Sequence, residues 1–222
     1  MRGAAAKVHA DNDELAAGLH SLGLTLPEAA RAKLAAYIAL LAKWNRTYNL
    51  TAIREPARMV THHLLDALAV LPQLPQRAQL RVLDVGAGGG VPGIPLAIAR
   101  PEWRVVLLDS NHKKATFLTQ AAIELALPNV TAVAGRVEDY APEAPFDIVI
   151  ARAFSDLRTF AESSAHHVAP GGALFAMKGV YPDEEIADLP GDIETIAAAA
   201  LTVPGLAAAR HLIVMRRKRP AQ

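Results

Sequence analysis

Asp84-Val85-Gly86-Ala87-Gly88-Gly89-Gly90-Val91-Pro92-Gly93 is the stretch whose reading decides the fold. It begins inside the short apolar run Leu80-Arg81-Val82-Leu83-Asp84-Val85 and opens a helical stretch from Pro92. Glycines at such a strand-to-helix turn permit positive φ and let backbone approach a ligand without a Cβ in the way. In an open α/β sheet, ligands sit outside the carboxyl ends of the strands, which is where this turn lies. Its spacing narrows the ligand. The dinucleotide fingerprint wants a third glycine three residues after Gly88, and Val91 stands there. Asp84 also sets a negative charge where a pyrophosphate would have to come. The pattern is instead Asp-x-Gly-x-Gly-x-Gly, closed by Pro92-Gly93, with Asp84 placed to bond an ammonium group or to order the loop.

Working outward, Arg104 to Leu108 reads as a second strand, Asn129 to Ala134 as a third and Phe146 to Ala151 as a fourth. Ala173 to Met177 follows the turn Pro170-Gly171-Gly172 as a fifth strand, and His211 to Met215 gives one more. Helical stretches at Lys113 to Leu125 and Leu157 to Val168 separate them. Strands alternating with helices indicate βαβ units and a sheet buried on both faces. The expectation is a doubly wound, Rossmann-like α/β domain over residues 51–222. Before it, residues 1–50 form a helical extension, in which Leu34, Tyr37, Ile38, Leu41 and Trp44 share one face. Thr25 supplies a capping hydroxyl ahead of Pro27-Glu28. A further helix spans Pro56 to Leu71, and the Ala-rich stretch Ile196 to Leu201 reads as a short helix on propensity.

Each strand end then offers a candidate site residue. Asp109, ending the second strand, is placed to accept from ribose hydroxyls, a feature shared by NAD and S-adenosylmethionine sites. After the third strand, Val137 offers an apolar surface for an adenine ring and Glu138 a partner for its amino group. With Gly86, Gly88 and Arg152 at the end of the fourth strand, the set favours S-adenosylmethionine.

Composition supplies exclusions. The 222 residues contain no cysteine, which removes disulfides, thiolate metal sites and a cysteine nucleophile. Lys+Arg 23 against Asp+Glu 22 leaves a formal charge of +1, so nucleic acid has to be met by a local patch. No apolar run is long enough to cross a membrane, and Met1 to Asp13 lacks a secretory pattern, so a cytoplasmic location is expected. The pairs His62-His63 and His166-His167 are not metal ligands, because adjacent helical residues point about 100° apart.

Tyr48-Asn49-Leu50-Thr51-Ala52, His63-Leu64-Leu65-Asp66, Asp84 through Gly93, Leu108-Asp109-Ser110, Arg152-Ala153-Phe154 and Lys178-Gly179 together resemble the small ribosomal subunit methyltransferase G family, also called glucose-inhibited division protein B. The resemblance runs from about Leu34 to Arg216. It implies a class I S-adenosylmethionine-dependent methyltransferase fold and methyl transfer to N7 of a guanine in 16S ribosomal RNA, on naked RNA or the small subunit. It carries cofactor contacts to Gly86, Val91, the Val137-Glu138 pair and Arg152. No membrane and no obligate protein partner are expected.

The residues agree with that chemistry. Amino methylation usually employs an Asn/Asp-Pro-Pro-aromatic turn after the fourth strand, and Ala151-Arg152-Ala153-Phe154 stands there. Carbon-5 methylation of pyrimidines needs a cysteine adduct. Guanine N7 carries an exposed lone pair, so it needs alignment, not a base. Arg152 has three readings: holding the cofactor, meeting the base, or pairing with Asp84 or Asp109. Lys178 is a candidate for O6 or phosphate and Phe154 for stacking on an extruded base. An RNA strip along the cofactor side is expected from Arg46, Arg54, Arg58, His62, His63, Lys113, Lys114 and the tail Arg216-Arg217-Lys218-Arg219. The alternatives are a small-molecule methyltransferase, which would carry an apolar lid, and a non-catalytic nucleotide-binding module.

Overall fold

The near-continuous apolar runs become strands covered on both faces. A computed structural model describes residues 13–218; residues 1–12, on which most of the leader reading rests, and Arg219 of the tail lie outside them. The helical segments are α1 (13–21), α2 (Glu28–Tyr48), α3 (Pro56–Met59), α4 (Asp66–Leu68), α5 (Gly93–Ala99), α6 (His112–Glu124), α7 (Leu157–Ser164) and α8 (Asp183–Ala187). The strands are β1 (Arg81–Val85), β2 (Arg104–Asp109), β3 (Val130–Ala134), β4 (Phe146–Arg152), β5 (Val168–Lys178), β6 (Ile193–Ala200) and β7 (His211–Arg217). They form one seven-stranded sheet in the order β3-β2-β1-β4-β5-β7-β6. The pairs from β3 through β5 are parallel, whereas β7 runs antiparallel to β5 and β6.

Side chains of successive strand residues part to opposite faces. Val82, Leu107, Ile148 and Ile150 join α2, α5 and α6 in one cluster. Leu83, Leu108, Val149 and Leu174 join α7 in the other. In α2, Leu34, Tyr37, Ile38 and Leu41 are buried as their spacing predicts. Trp44 is only partly buried; it stacks on Tyr48 and tilts against Phe117 of α6. Thr25 does not cap α2: Pro27 holds the cap position, and no side chain bonds there.

Two departures matter for the site. The helix expected from Pro56 is interrupted between α3 and α4 by a π-helical segment, Val60–Leu65. The alanine stretch expected as a helix is strand β6, paired with β7 from Ile193↔Arg217 to Ala200↔His211. Alanine gains only a few tenths of a kcal/mol per residue from helix propensity. The open hydrogen-bonding edge of β7 outweighs that, since every bond left unmade there costs more.

Candidate functional site

Contacts from several directions hold the glycine loop rigid. The amides of Gly86 and Ala87 donate to Leu108 O at 2.8 and 3.0 Å, tying the end of β1 to β2. Gly88 N donates to Asp109 Oδ2 at 2.8 Å, and Gly93 N donates to Asp84 Oδ2 at 2.8 Å. The Tyr37 hydroxyl donates to Gly89 O at 2.5 Å, so α2 supports the loop from below. Gly86 and Gly88 sit at φ 69 and 58, which side chains rarely adopt.

Above the loop lies a cavity of about 190 Å³ bounded by Val85, Gly86, Leu108, Ser110, Gly135, Arg136, Val137, Glu138 and Phe154. A Cβ built on Gly86 meets no protein atom within 4 Å, so the space beside this glycine is open. The fold therefore brings Gly86, Val137 and Glu138, the residues read as cofactor contacts, to one cavity, and sets Phe154, read as a partner for the base, in its wall. Val137 is held in place by His167, whose Nε2 donates to its carbonyl at 2.8 Å. Nothing local in the sequence signals that contact.

Other candidates occupy different roles. Val91 packs in the core beneath the loop, outside the cavity lining. Asp109 is 5% exposed; Oδ2 accepts from Gly88, and Oδ1 accepts from Asn111 N at 2.8 Å. Its carboxylate ties two loops together, and the exposed Ser110 is the neighbour that reaches the cavity. Asp84 orders the loop, as one of its two readings held, and its Oδ1 is buried without a partner.

Burial lifts the Asp84 carboxyl from 3.8 to about 7, against the opposing pull of the Gly93 N–H and the Arg152 charge. The unfolded chain releases this proton near pH 4 and the native protein near pH 7. Between those values the native state binds more protons, so its stability falls as pH rises. Asp84→Asn should show a smaller drop in unfolding free energy between about pH 5 and 7 than the wild type in urea titrations. Equal drops would mean that Asp84 is already ionised in the native state. His63 acts in the opposite sense, because burial and then Arg152 lower it to about 4. Its contribution is common to both proteins, and the comparison isolates Asp84.

Arg152 pairs with neither Asp84 nor Asp109. Its Nη1 donates to His62 O at 3.0 Å and to Asp66 Oδ2 at 3.3 Å, and lies 3.4 Å from His63 Nδ1. The widened π turn presents that carbonyl, in keeping with the occurrence of such turns at functional sites. His63 Nε2 lies 2.9 Å from Thr51 Oγ1, and Asn45 holds Thr51 through its backbone N–H. Ala153, next in the chain, turns at φ 58, a strained conformation for a residue with a Cβ. Lys178 is no free surface lysine: its Nζ lies 2.7 Å from Glu185 Oε2 and 3.5 Å from Phe154 O.

A family model for rRNA small subunit methyltransferase G (GidB) matches residues 30–213. The chain belongs to this family. A Laribacter hongkongensis protein named ribosomal RNA small subunit methyltransferase G is 54% identical, over 90% of this chain and 96% of its own. An Azoarcus sp. protein of the same name is 55% identical over 91% and 95%. Among solved structures, the glycopeptide N-methyltransferase MtfA complexed with S-adenosyl-L-methionine superposes with a TM-score of 0.60 at 15% identity, covering 71% of this chain and 88% of its own. That likeness carries the fold: the chain has the class I methyltransferase architecture.

Within the family fold, the expected basic strip is only partly assembled. Lys113 and Lys114 open α6, where Asn111 Oδ1 accepts from both their amides. Arg54 precedes α3, so it shares no helix face with Arg58, which pairs with Glu55 at 3.4 Å. The described part of the tail, Arg216 to Lys218, lies at the opposite end of the sheet. Because β7 is antiparallel, His211 stands opposite Lys178 at the cofactor end, and Arg216 and Arg217 run to the far end. Arg216 bonds Glu194 at 2.8 Å and Lys218 bonds Gly191 O at 2.7 Å. The residue that β7 brings to the cofactor end is Arg210, which the sequence reading passed over.

Proposed function

We propose that this protein transfers a methyl group from S-adenosylmethionine to N7 of a guanine in 16S ribosomal RNA. The observation that carries the reading is the open cavity against Gly86, walled by Val137, Glu138 and Phe154, in a chain of this family. These residues suit an adenosine group: an open glycine edge, an apolar wall and a carboxylate for an exocyclic amine. When bound, the cofactor supplies an electrophilic methyl on a sulfonium. The protein's part is to hold the acceptor nitrogen in line with it, a contribution of orientation worth several orders of magnitude.

The charged groups around the cleft support an acceptor that needs no deprotonation. Asp109 is occupied by two amides, Arg152 is bonded to Asp66, and Lys178 is neutralised by Glu185. Guanine N7 has a lone pair ready to react, and its methylation places positive charge on the purine. Arg152 therefore belongs at the cofactor edge or at O6, away from the face of the ring, and Lys178 beside a phosphate or O6. The two arginines at the cleft, Arg152 and Arg210, favour RNA over a small uncharged acceptor.

The test is transfer of labelled methyl from S-adenosylmethionine to 30S subunits and to naked 16S RNA, followed by mapping. Label at N7 of a single guanine is the expected result. Label on an exocyclic amine or a ribose, or none in RNA, would refute the proposal.

A further inference from the structure

Strand β7 delivers a second arginine to the cleft. Arg210 Nε bonds Asp66 Oδ1 at 2.7 Å, and Arg152 Nη1 lies 3.3 Å from Asp66 Oδ2. Asp66 is 1% exposed, so one buried carboxylate answers two guanidinium groups and leaves a positive charge uncompensated. Lys178 and Glu185 neutralise each other, His63 carries no charge at neutral pH, and Asp84, which also feels Arg152, is kept protonated by burial below about pH 7. Both arginine side chains keep about a quarter of their surface open, 26% and 24%. Among the described residues, Arg152 Nη2 and Arg210 Nη2 have no acceptor.

An aromatic surface adjoins this charge. The chain after β5 exposes Val180 (81%) and Tyr181 (40%). The Tyr181 ring meets His211 edge to face at 5.4 Å, and His211 Nδ1 donates to Gly179 O at 2.8 Å. Lys178 then links this edge to Phe154, a wall of the cavity. Excess guanidinium charge and an exposed ring thus lie on one path leading to the site.

We propose that this edge seats the acceptor nucleotide, with Arg210 on a backbone phosphate and Tyr181 stacked on a nucleobase. The proposal rests on the RNA-methylation reading and adds the surface that would receive the RNA. A planar apolar face beside a fixed cation matches an unstacked nucleotide, whose base and phosphate need those two partners. Asp66 and Ala209 O hold Arg210 Nε and Nη1, which fixes the guanidinium and leaves the two N–H groups of Nη2 for a phosphate oxygen.

The experiment measures KM for 30S subunits across a salt series, with S-adenosylmethionine affinity followed separately by calorimetry. Tyr181→Ala should raise KM roughly tenfold, the usual scale for a lost base stack, while Tyr181→Phe stays near wild type. Arg210→Ala should raise KM and lower the log–log salt slope by about one. Cofactor affinity should not change in any of them. Tyr181 lies outside the Asp66 cluster, so it tests the surface even if Arg210→Ala unfolds. Unaltered KM in both alanine variants would overturn the inference. So would cofactor affinity falling in step with KM, since the cation would then serve the cofactor's carboxylate. A wild-type protein that methylates no RNA would overturn the underlying reading as well.

Discussion

Replacing Gly86 by valine should yield a folded protein that no longer binds S-adenosylmethionine. The expected cause is specific to the ligand. No protein atom lies within 4 Å of a Cβ at this position, so the side chain would occupy the open space beside the cavity. The cost to the protein is the left-handed backbone, φ 69, at about 1–2 kcal/mol for a residue with a Cβ. The cost to binding is far larger, because two branched methyl groups displace the cofactor from its closest approach to the backbone. Loss of at least about a hundredfold in calorimetric affinity, or about 2.7 kcal/mol, is expected. Gly93→Ala provides the contrast. Its Cβ would overlap Leu107 Cδ2 and come within 2.7 Å of Asp84 Oδ2, so damage there should register in the urea midpoint. Tight cofactor binding by folded Gly86→Val would show that the ligand does not lie against this glycine.

Asp66→Ala should be the most disruptive change among the charged residues. It removes the shared carboxylate from Arg152 and Arg210 and leaves two like charges facing each other. Removing one partner of a fully buried pair costs about 3–5 kcal/mol. The partial exposure of both arginines brings the expectation here to about 3 kcal/mol. Arg152 would also lose part of what aims it, so methyl transfer should fall by more than about tenfold at temperatures where the variant remains folded. Asp66→Asn, which keeps the shape without the charge, should lie between the two. A loss of stability below about 1 kcal/mol would place the cluster among solvated surface pairs.

Much of the architecture was legible because it is written locally. The apolar runs ending at Val85, Asp109, Ala134 and Arg152 became adjacent parallel strands, and their ends converged on one cavity as the alternation of strands and helices requires. Features set by distant residues were not legible. Asp66 and Arg210 are separated by 144 positions and meet only because β7 reverses direction. The same reversal carries Arg216 and Arg217 away from the site, although their charge run looks like an RNA contact in sequence. Strand β6 shows a related limit: four alanines between Ile196 and Leu201 favour a helix in isolation, and the edge that makes them a strand belongs to β7. Asp109 ends β2 as its sequence predicts, but sequence could not reveal that backbone amides already hold both its oxygens.

The bond from Tyr37 to Gly89 O joins helix α2 to the cofactor loop as a single cooperative unit. Any local opening that pulls Tyr37 out of its buried position must also release that carbonyl and loosen the loop. Thermodynamic linkage then runs both ways. A ligand held by the closed loop alone makes opening of α2 harder by RT ln(1 + [L]/Kd), and a change that loosens α2 weakens the ligand by the same free energy. A helix that lines no part of the cavity is thereby coupled to the loop beneath it.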